Sequence, residues 1–298
     1  MDIVFCISDN YIKHCAISIA SILENNKNNC TTFHIISNDI TDKNKNLLIK
    51  MLEKYKQKIF FYHFDNRKIS AWPCFKEKMP PHVTLQTYYR LFIPEILPSN
   101  INKVLYLDSD IIVLSDLLEL WQTNITTYSV GVIADQWTNY TEAANRLDYN
   151  NKEIYFNAGV ILMNLKYLRE INLTQKSIDF ITNYQEKIIY HDQDVLNKLL
   201  VDSKLILPVK WNVCSFKKTD HIPTIYQSTI HDARKHPCIV HFFSPVKPWN
   251  PKSLHPFKSL YYFYSRFTPW SEKATFTIST YVKKILQQLN IMKSDYDI

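Results

Sequence analysis

The chain opens on DIVFCI, an apolar run at residues 2–7 rich in β-branched side chains, which predicts a buried strand. Ser8, Asp9 and Asn10 supply helix-capping candidates, and CAISIASILENN has the apolar spacing of a helix. TFHIIS (32–37) and IFFYHF (59–64) read as strands, and LLIKMLEKYK (47–56) between them as a helix with its lysines on the outer face. Such alternation predicts βαβ units on a parallel sheet. A proline-rich stretch, 71–82, predicts irregular chain and leads into a helix containing TYYRLFIPEIL. KVLYL (103–107), SVGVIA (129–134) and AGVILMN (158–164) predict further strands, while 165–185 and 192–200 predict helices. No linker signal precedes residue 250 and no repeat is present, so the pattern predicts one α/β domain over 1–250 and a helical tail over 251–298.

Composition changes this picture at glycine. Gly131 and Gly159 are the only two in 298 residues, where average usage predicts roughly twenty. A P-loop and a G-x-G-x-x-G turn both need glycines so that backbone can approach a phosphate. Neither is written here, so a bound nucleotide would need another hold on its phosphates.

The formal charge is +7, and the tail concentrates it. Between residues 251 and 293, Lys252, Lys258, Arg266, Lys273, Lys283, Lys284 and Lys293 face only Glu272, interleaved with Phe257, Tyr261, Tyr262, Phe263, Tyr264, Phe267 and Trp270. Basic and aromatic residues together suit an anionic membrane surface or a nucleic acid, and a membrane surface is the stronger reading. A C-terminal helix packing its aromatics on the domain has the same pattern. Six cysteines without metal-ligand spacing, several in apolar runs, read as reduced buried thiols of a cytosolic protein. The opening residues lack the basic start of a signal peptide, and no apolar run is long enough to span a bilayer.

Candidate chemistry gathers at a few positions. Asp108-Ser109-Asp110 follows a predicted strand, and in extended chain residues i and i+2 share a face. Two converging carboxylates at the carboxyl end of a strand repel unless a cation lies between them, and oxygen ligands suit Mg2+ or Mn2+. The same residues would also serve as two caps in a solvated loop. A phosphohydrolase would place the pair on its first strand, followed by Gly-Thr, whereas Ile111 and Ile112 follow here. His241 stands alone in the apolar run IVHFF and reads either as a core residue or as a metal ligand, with Lys247 six residues on, beside Pro248. Asn157-Ala158-Gly159 marks either a close backbone approach to a ligand or a bulge. His191-Asp192-Gln193-Asp194 opens a helix, where acids are ordinary.

Taken together, MDIVFCISDNY, CAISIASILENN, TYYRL (87–91), KVLYLDSDIIV (103–113), FNAGVILMNL (156–165), HDQDVLN (191–197), LPVKWN (207–212) and HFFSPVKPW (241–249) resemble, in order, the motifs of family 8 glycosyltransferases. The nearest likeness is to the bacterial lipopolysaccharide and lipooligosaccharide galactosyl- and glucosyltransferases. The resemblance implies the GT-A fold and retaining transfer from UDP-galactose or UDP-glucose, assisted by Mn2+ with Mg2+ as the alternative ion. It implies metal ligation by Asp108, Asp110 and His241, and a diphosphate held by Lys247. Ser8, Asn10 and Tyr11 would contact the uridine, with Ser109 and Ala158 also lining the donor. Arg90, Asp135, Asn157, Asp192 and Gln193 would surround the donor sugar and acceptor, with Asp135, Asp192 and Gln193 nearest the chemistry. Gln193 would face the anomeric carbon, and front-face attack is favoured over a covalent intermediate because an amide is a poor nucleophile. Two positions depart from the family: Ser8 replaces a common aspartate, and Ser244 replaces the glycine of H-x-x-G-x-x-K-P-W. The implied acceptor is a lipid-linked oligosaccharide on the cytoplasmic face of the inner membrane, with no nucleic-acid partner. The rival is a non-catalytic membrane- or carbohydrate-binding protein on the same fold.

Overall fold

A computed structural model describes residues 1–70, 72, 85–150, 154–217, 222–289 and 291–297. The stretch expected to be irregular, 71–82, lies outside the described residues apart from Trp72. β1 (Asp2–Cys6), α1 (Ile12–Asn25), β2 (Thr32–Ser37), α2 (Asp42–Glu53) and β3 (Lys58–His63) realise the anticipated alternation. The short turns α3 (Arg67–Ser70) and α4 (Ile93–Ile96) follow, then β4 (Lys103–Leu107), β5 (Ile111–Val113), α5 (Leu118–Gln122), β6 (Val130–Ala134), α6 (Tyr140–Leu147) and β7 (Phe156–Asn164). The remainder is α7 (Leu165–Glu170), α8 (Leu173–Asn183), α9 (His191–Leu199), β8 (Lys204–Ile206), α10 (Ile230–Lys235), β9 (Ile239–His241), α11 (Lys258–Ser265) and α12 (Ile278–Gln288).

Two helices differ from expectation for local reasons. TYYRLFIPEIL lies mostly in a 3-10 helix, Leu85–Phe92, and becomes α-helical only at Ile93. An α-helical turn before Pro94 would bring its ring against the carbonyl four residues back, while the tighter turn keeps Tyr88, Tyr89, Leu91 and Phe92 buried. The single helix expected over 165–185 is broken into α7 and α8 at Asn172, whose φ of 52° is left-handed. Asparagine tolerates that region better than most residues.

Seven strands form the main sheet in the order β3-β2-β1-β4-β7-β6-β8. All run parallel except β7, which is antiparallel to both β4 and β6, so the expected mostly parallel mixed sheet is present. Strand order turns back on itself between β1 and β4, and the crevice beyond the carboxyl ends of such strands is where open α/β sheets take ligands. Ser8 and Asp108 lie there. A separate antiparallel pair, β5 with β9, sets Ile111 opposite His241. That register carries the histidine to the residue just after Asp110.

Side chains of β1 alternate between two cores, Ile3 and Phe5 facing α1 and Val4 facing the 3-10 helix side. The core around α1 continues past residue 250, because Tyr261, Tyr262 and Tyr264 of α11 are buried in it. Tyr261 Oη lies 2.6 Å from His14 Nδ1, and Asn25 Nδ2 donates to Tyr264 Oη at 2.8 Å. The boundary expected at 250 thus does not separate α11 from the packing of the domain. Replacing Tyr261 by alanine should lower unfolding stability by about 3–5 kcal/mol, as for other large buried aromatics. Urea denaturation measures it, and a loss under about 1 kcal/mol would place α11 outside the cooperative core.

Candidate active site

β4 ends at Leu107, a bend follows, and β5 begins at Ile111. Asp108 and Asp110 therefore converge across a bend between two sheets rather than along one strand as expected. Asp108 is held by its own N–H, which donates to Gly159 O at 2.8 Å, and Asp110 O accepts from Phe242 N at 2.9 Å. Ser109 is tied through its carbonyl, which accepts from Ser18 Oγ at 2.9 Å. His241 Nε2 lies 3.7 Å from Asp108 Oδ2 and 3.3 Å from Asp110 Oδ1. Ligand atoms of all three residues fall within 4.8 Å of one another. Two carboxylate oxygens and one imidazole nitrogen at this spacing fit a divalent cation, and the nitrogen favours Mn2+ over Mg2+.

Each carboxylate also has a cationic side chain against it. Lys247 Nζ donates to Asp110 Oδ2 at 2.6 Å and to Phe242 O at 2.8 Å. Burial by itself raises the Asp110 carboxyl, but Lys247 and His241 outweigh it and hold the group below the ordinary carboxylate range. Arg90 Nη2 donates to Asp108 Oδ1 at 3.0 Å, and Tyr106 Oη donates to the same oxygen at 2.6 Å. The other side of the guanidinium meets Asp192, with Nε 2.9 Å from Oδ2. Burial raises the Asp192 carboxyl to about 6 against the opposing pull of Arg90 and of the Thr87 hydroxyl. Arg90 thus joins α9 to the carboxylate pair.

The remaining expected site residues gather beside this row, and several are held by one another. Gln193 Oε1 accepts from Ala158 N at 2.9 Å, and its Nε2 lies 3.5 Å from Asp135 Oδ2. Asp135 Oδ1 accepts from the backbone N–H of Trp137 and of Thr138, both at 2.8 Å, and Oδ2 accepts from Asn157 Nδ2 at 3.1 Å. Asp194, the second acid of HDQD, is structural: it accepts from Arg146, Tyr155 and the N–H groups of Ile189 and Tyr190. At the end of β1, Ser8 is buried, Asn10 is exposed and Tyr11 lies in a 3-10 turn. Burial, with the charges of Asp110 and Asp108, raises the Tyr11 hydroxyl above its ordinary value. Ser244 is accommodated, with its hydroxyl accepting from Val246 N at 3.3 Å.

Of the two readings of Gly159, the structure shows the bulge. The β6–β7 register shifts between Val132 and Ile133, where the partners jump from Ile161 to Asn157. Protein also approaches closely there: a Cβ on Gly159 would stand 2.3 Å from His241 Cε1 and 2.7 Å from Nδ1. Sequence reasoning gave no role to Asn212, to the stacked pair His14–Trp249 (3.6 Å between ring centroids), or to the exposed pair Trp137–Phe243 (6.2 Å). Asn212 and Trp249 stand in quoted motifs, yet nothing in their spacing marks a role. Gly159→Ala should therefore lower stability by about 1–3 kcal/mol or more and displace His241. Gly131→Ala, whose nearest neighbour is the flexible end of Leu207 at 3.1 Å, should cost less. Thermal melting of the two variants compares them, and the reverse order would refute the account of Gly159.

Residues 2–253 match the model of glycosyl transferase family 8. General stress protein A of Bacillus subtilis (strain 168) is 29% identical over 278 residues, covering 91% of this chain and 95% of that protein. A lipopolysaccharide 1,2-glucosyltransferase of Escherichia coli is 31% identical over 273 residues, 89% of this chain and 77% of that enzyme. The solved galactosyltransferase LgtC, in complex with donor and acceptor sugar analogues, matches with a TM-score of 0.77 at 24% identity, over 95% of this chain and 100% of that one. That likeness is one of fold, and it agrees with the GT-A architecture expected from the sequence. The family match takes in every residue of the carboxylate–imidazole site, and the chain is a member of glycosyl transferase family 8.

Proposed function

We propose that this protein is a retaining, metal-dependent hexosyltransferase that moves galactose or glucose from a UDP-sugar to a lipooligosaccharide or lipopolysaccharide core acceptor. The observation that carries the reading is the Asp108–Asp110–His241 cluster, flanked by Lys247 and Arg90 at the point where the sheet reverses its strand order. Lys247 takes the diphosphate, and Ser8, Asn10 and Tyr11 take the uridine. Arg90, Ser109, Asp135, Asn157, Ala158, Asp192 and Gln193 line the sugar. A divalent cation held by Asp108, Asp110 and His241 supplies positive charge against the departing UDP. Lys247 adds a second positive charge at the same oxygens, where charge develops.

In the step itself, the acceptor oxygen bonds to the anomeric carbon as that carbon's bond to phosphate breaks. The acceptor's proton passes to the leaving phosphate oxygen, and the same face of the sugar is used for departure and attack. Gln193 has its carbonyl engaged by Ala158 N, which favours electrostatic support over nucleophilic attack. The exposed Trp137–Phe243 pair stands beside Asp135 and His241 and offers flat apolar faces for an acceptor sugar.

The acceptor's lipid suggests where the protein works. No helix among the described residues is long and apolar enough to cross a membrane. α12 instead lies with Thr280 inward and Ile278, Tyr281, Val282, Ile285 and Leu289 outward, a stripe at helical spacing beside Lys283 and Lys284. An apolar face of this kind with adjacent lysines suits the anionic cytoplasmic leaflet of the inner membrane.

Incubation with Mn2+ and a panel of UDP-sugars, without acceptor, should release UDP from one donor. EDTA or Asp110→Asn should slow release about a hundredfold or more, since the charge they remove is worth several kcal/mol. No release from any donor, with no metal-dependent UDP binding by calorimetry, would move the assignment to a non-catalytic binding protein. For the membrane contact, Ile278→Glu with Leu289→Glu changes residues 87% and 62% exposed. The pair should cut co-sedimentation with anionic vesicles about tenfold or more and leave UDP release unchanged, and undiminished sedimentation would refute that role for α12.

A further inference from the structure

A neutral imidazole carries one N–H, and only its bare nitrogen can ligate a metal. His241 Nε2 faces Asp108 and Asp110, and two carboxylates attract an N–H. Left to that field, the ring would place its hydrogen on Nε2, the tautomer that cannot bind a cation there. Something on the other side of the ring must hold the hydrogen on Nδ1.

Nδ1 lies 3.0 Å from Asn212 Oδ1. An amide oxygen only accepts, so Nδ1 donates if the Asn212 amide is turned as described, and its surroundings allow no other turn. Asn212 Nδ2 donates to Asn157 Oδ1 at 2.9 Å, and that oxygen also accepts from Gly159 N at 3.0 Å. On the far side Asn157 Nδ2 donates to Asp135 Oδ2 at 3.1 Å. A backbone N–H can only donate and an ionised carboxylate can only accept. Asn157 is therefore polarised from both ends, and Asn212 follows. Asn157, Asn212 and His241 are all buried, with Asn212 fully so, which leaves little room for water to substitute. Asn212 itself is pinned by its backbone, with N donating to Val209 O at 3.0 Å and O accepting from Gln136 Nε2 at 2.8 Å.

We propose that Asn212 is a positioning residue which holds His241 as the Nδ1–H tautomer, so that Nε2 presents its lone pair between Asp108 and Asp110. The direction of the relay is set at Asp135, just after β6 and so on the opposite side of β7 from β4, the strand that leads into the Asp108–Asp110 bend. The inference rests on the metal-dependent reading above and adds a residue to which that reading gives no part.

Histidine labelled with nitrogen-15 reports the tautomer directly. In metal-free protein, at a pH where imidazole is neutral, the His241 signals (assigned by their loss in His241→Gln) should show a protonated Nδ1 and a bare Nε2. Asn212→Leu should shift the population toward Nε2–H and weaken Mn2+ binding, read by electron paramagnetic resonance, by about 10–100-fold, the usual effect of losing a ligand's hydrogen-bond partner. A wild-type ring protonated at Nε2 overturns the proposal, whether or not Asn212→Leu folds. So does a folded Asn212→Leu protein that keeps both the tautomer and the Mn2+ affinity. Failure of the wild type to bind Mn2+, even with UDP present, would count instead against the metal-dependent reading.

Discussion

The repulsion between Asp108 and Asp110 is the constraint around which the rest of the site is arranged. Their ligand oxygens lie within 4.8 Å of one another, and at such a distance two like charges in protein surroundings repel by roughly 3–4 kcal/mol. Neither carboxylate can be neutralised by a neighbour on its own strand, because Leu107 and Ile111 flank the pair. The compensating charge comes from distant parts of the chain, Arg90 from the 3-10 helix and Lys247 from the loop after β9, while β9 itself sets His241 Nε2 against the pair. The parallel strands β1 and β4, the short pairing of β5 with β9 and the 3-10 turn before Pro94 each place one member of this set. The geometry of the fold and the electrostatics of the site are in that sense one requirement.

Opposite charges succeed one another through space, Lys247 beside Asp110 and Arg90 between Asp108 and Asp192, with the His241 ring set between the two carboxylates of the pair. Position in the row decides the fate of each carboxyl. Asp110 has an ammonium and an imidazole against it and is held below the ordinary carboxylate range. Asp192 sits at the end, sharing Arg90 with Asp108, and burial raises it to about 6. The shared arginine cannot serve both fully. A cation between Asp108 and Asp110 would compete for the same carboxylates that hold Arg90 and Lys247. In a chain with two glycines, the positive charge gathered here comes from side chains rather than from clustered backbone N–H groups.

Much of this was legible in the sequence because it rests on local periodicity and on residue chemistry. The apolar runs of β1, β2, β4 and β7 are continuous, as strands buried on both faces must be, and the DxD pair announces its chemistry at a strand end. What escaped was set by tertiary contact. The strands β5 and β8 have three residues each, too few for a period to show. Asn172 and Pro94 altered helices through a left-handed residue and a missing N–H, which hydrophobic spacing does not register. The role of Asn212 depends on the orientation of an amide 55 positions away in sequence, so no motif spacing could display it. The two tail helices show the same limit from the other side. α11 and α12 share a basic, aromatic composition, yet α11 buries Tyr261 and Tyr264 while α12 turns Ile278 and Leu289 outward. Composition supplied both readings of the tail, and the packing shows the buried one at α11 while leaving the apolar side chains of α12 exposed.

The two glycines show how tightly the inner strands are committed. Gly131 on β6 and Gly159 on β7 stand in adjacent strands of the sheet, but they meet different neighbours. Around Gly131 the nearest atom is the tip of a leucine, which can rotate. Around Gly159 it is an imidazole held on one side by Asn212 and aimed on the other at two carboxylates. That ring cannot retreat without giving up its hydrogen bond or its place between the acids. The absence of a side chain at 159 is thus what allows β7 to run beside β4, carry Asn157 to Asp135 and still leave space for His241. The bulge in the β6–β7 ladder at this point follows from the same demand, since a strand that must admit a foreign ring cannot keep regular register with its neighbour. A backbone irregularity and a glycine go with fitting one nitrogen between two oxygens, and Asn212 meets the other nitrogen of the same ring.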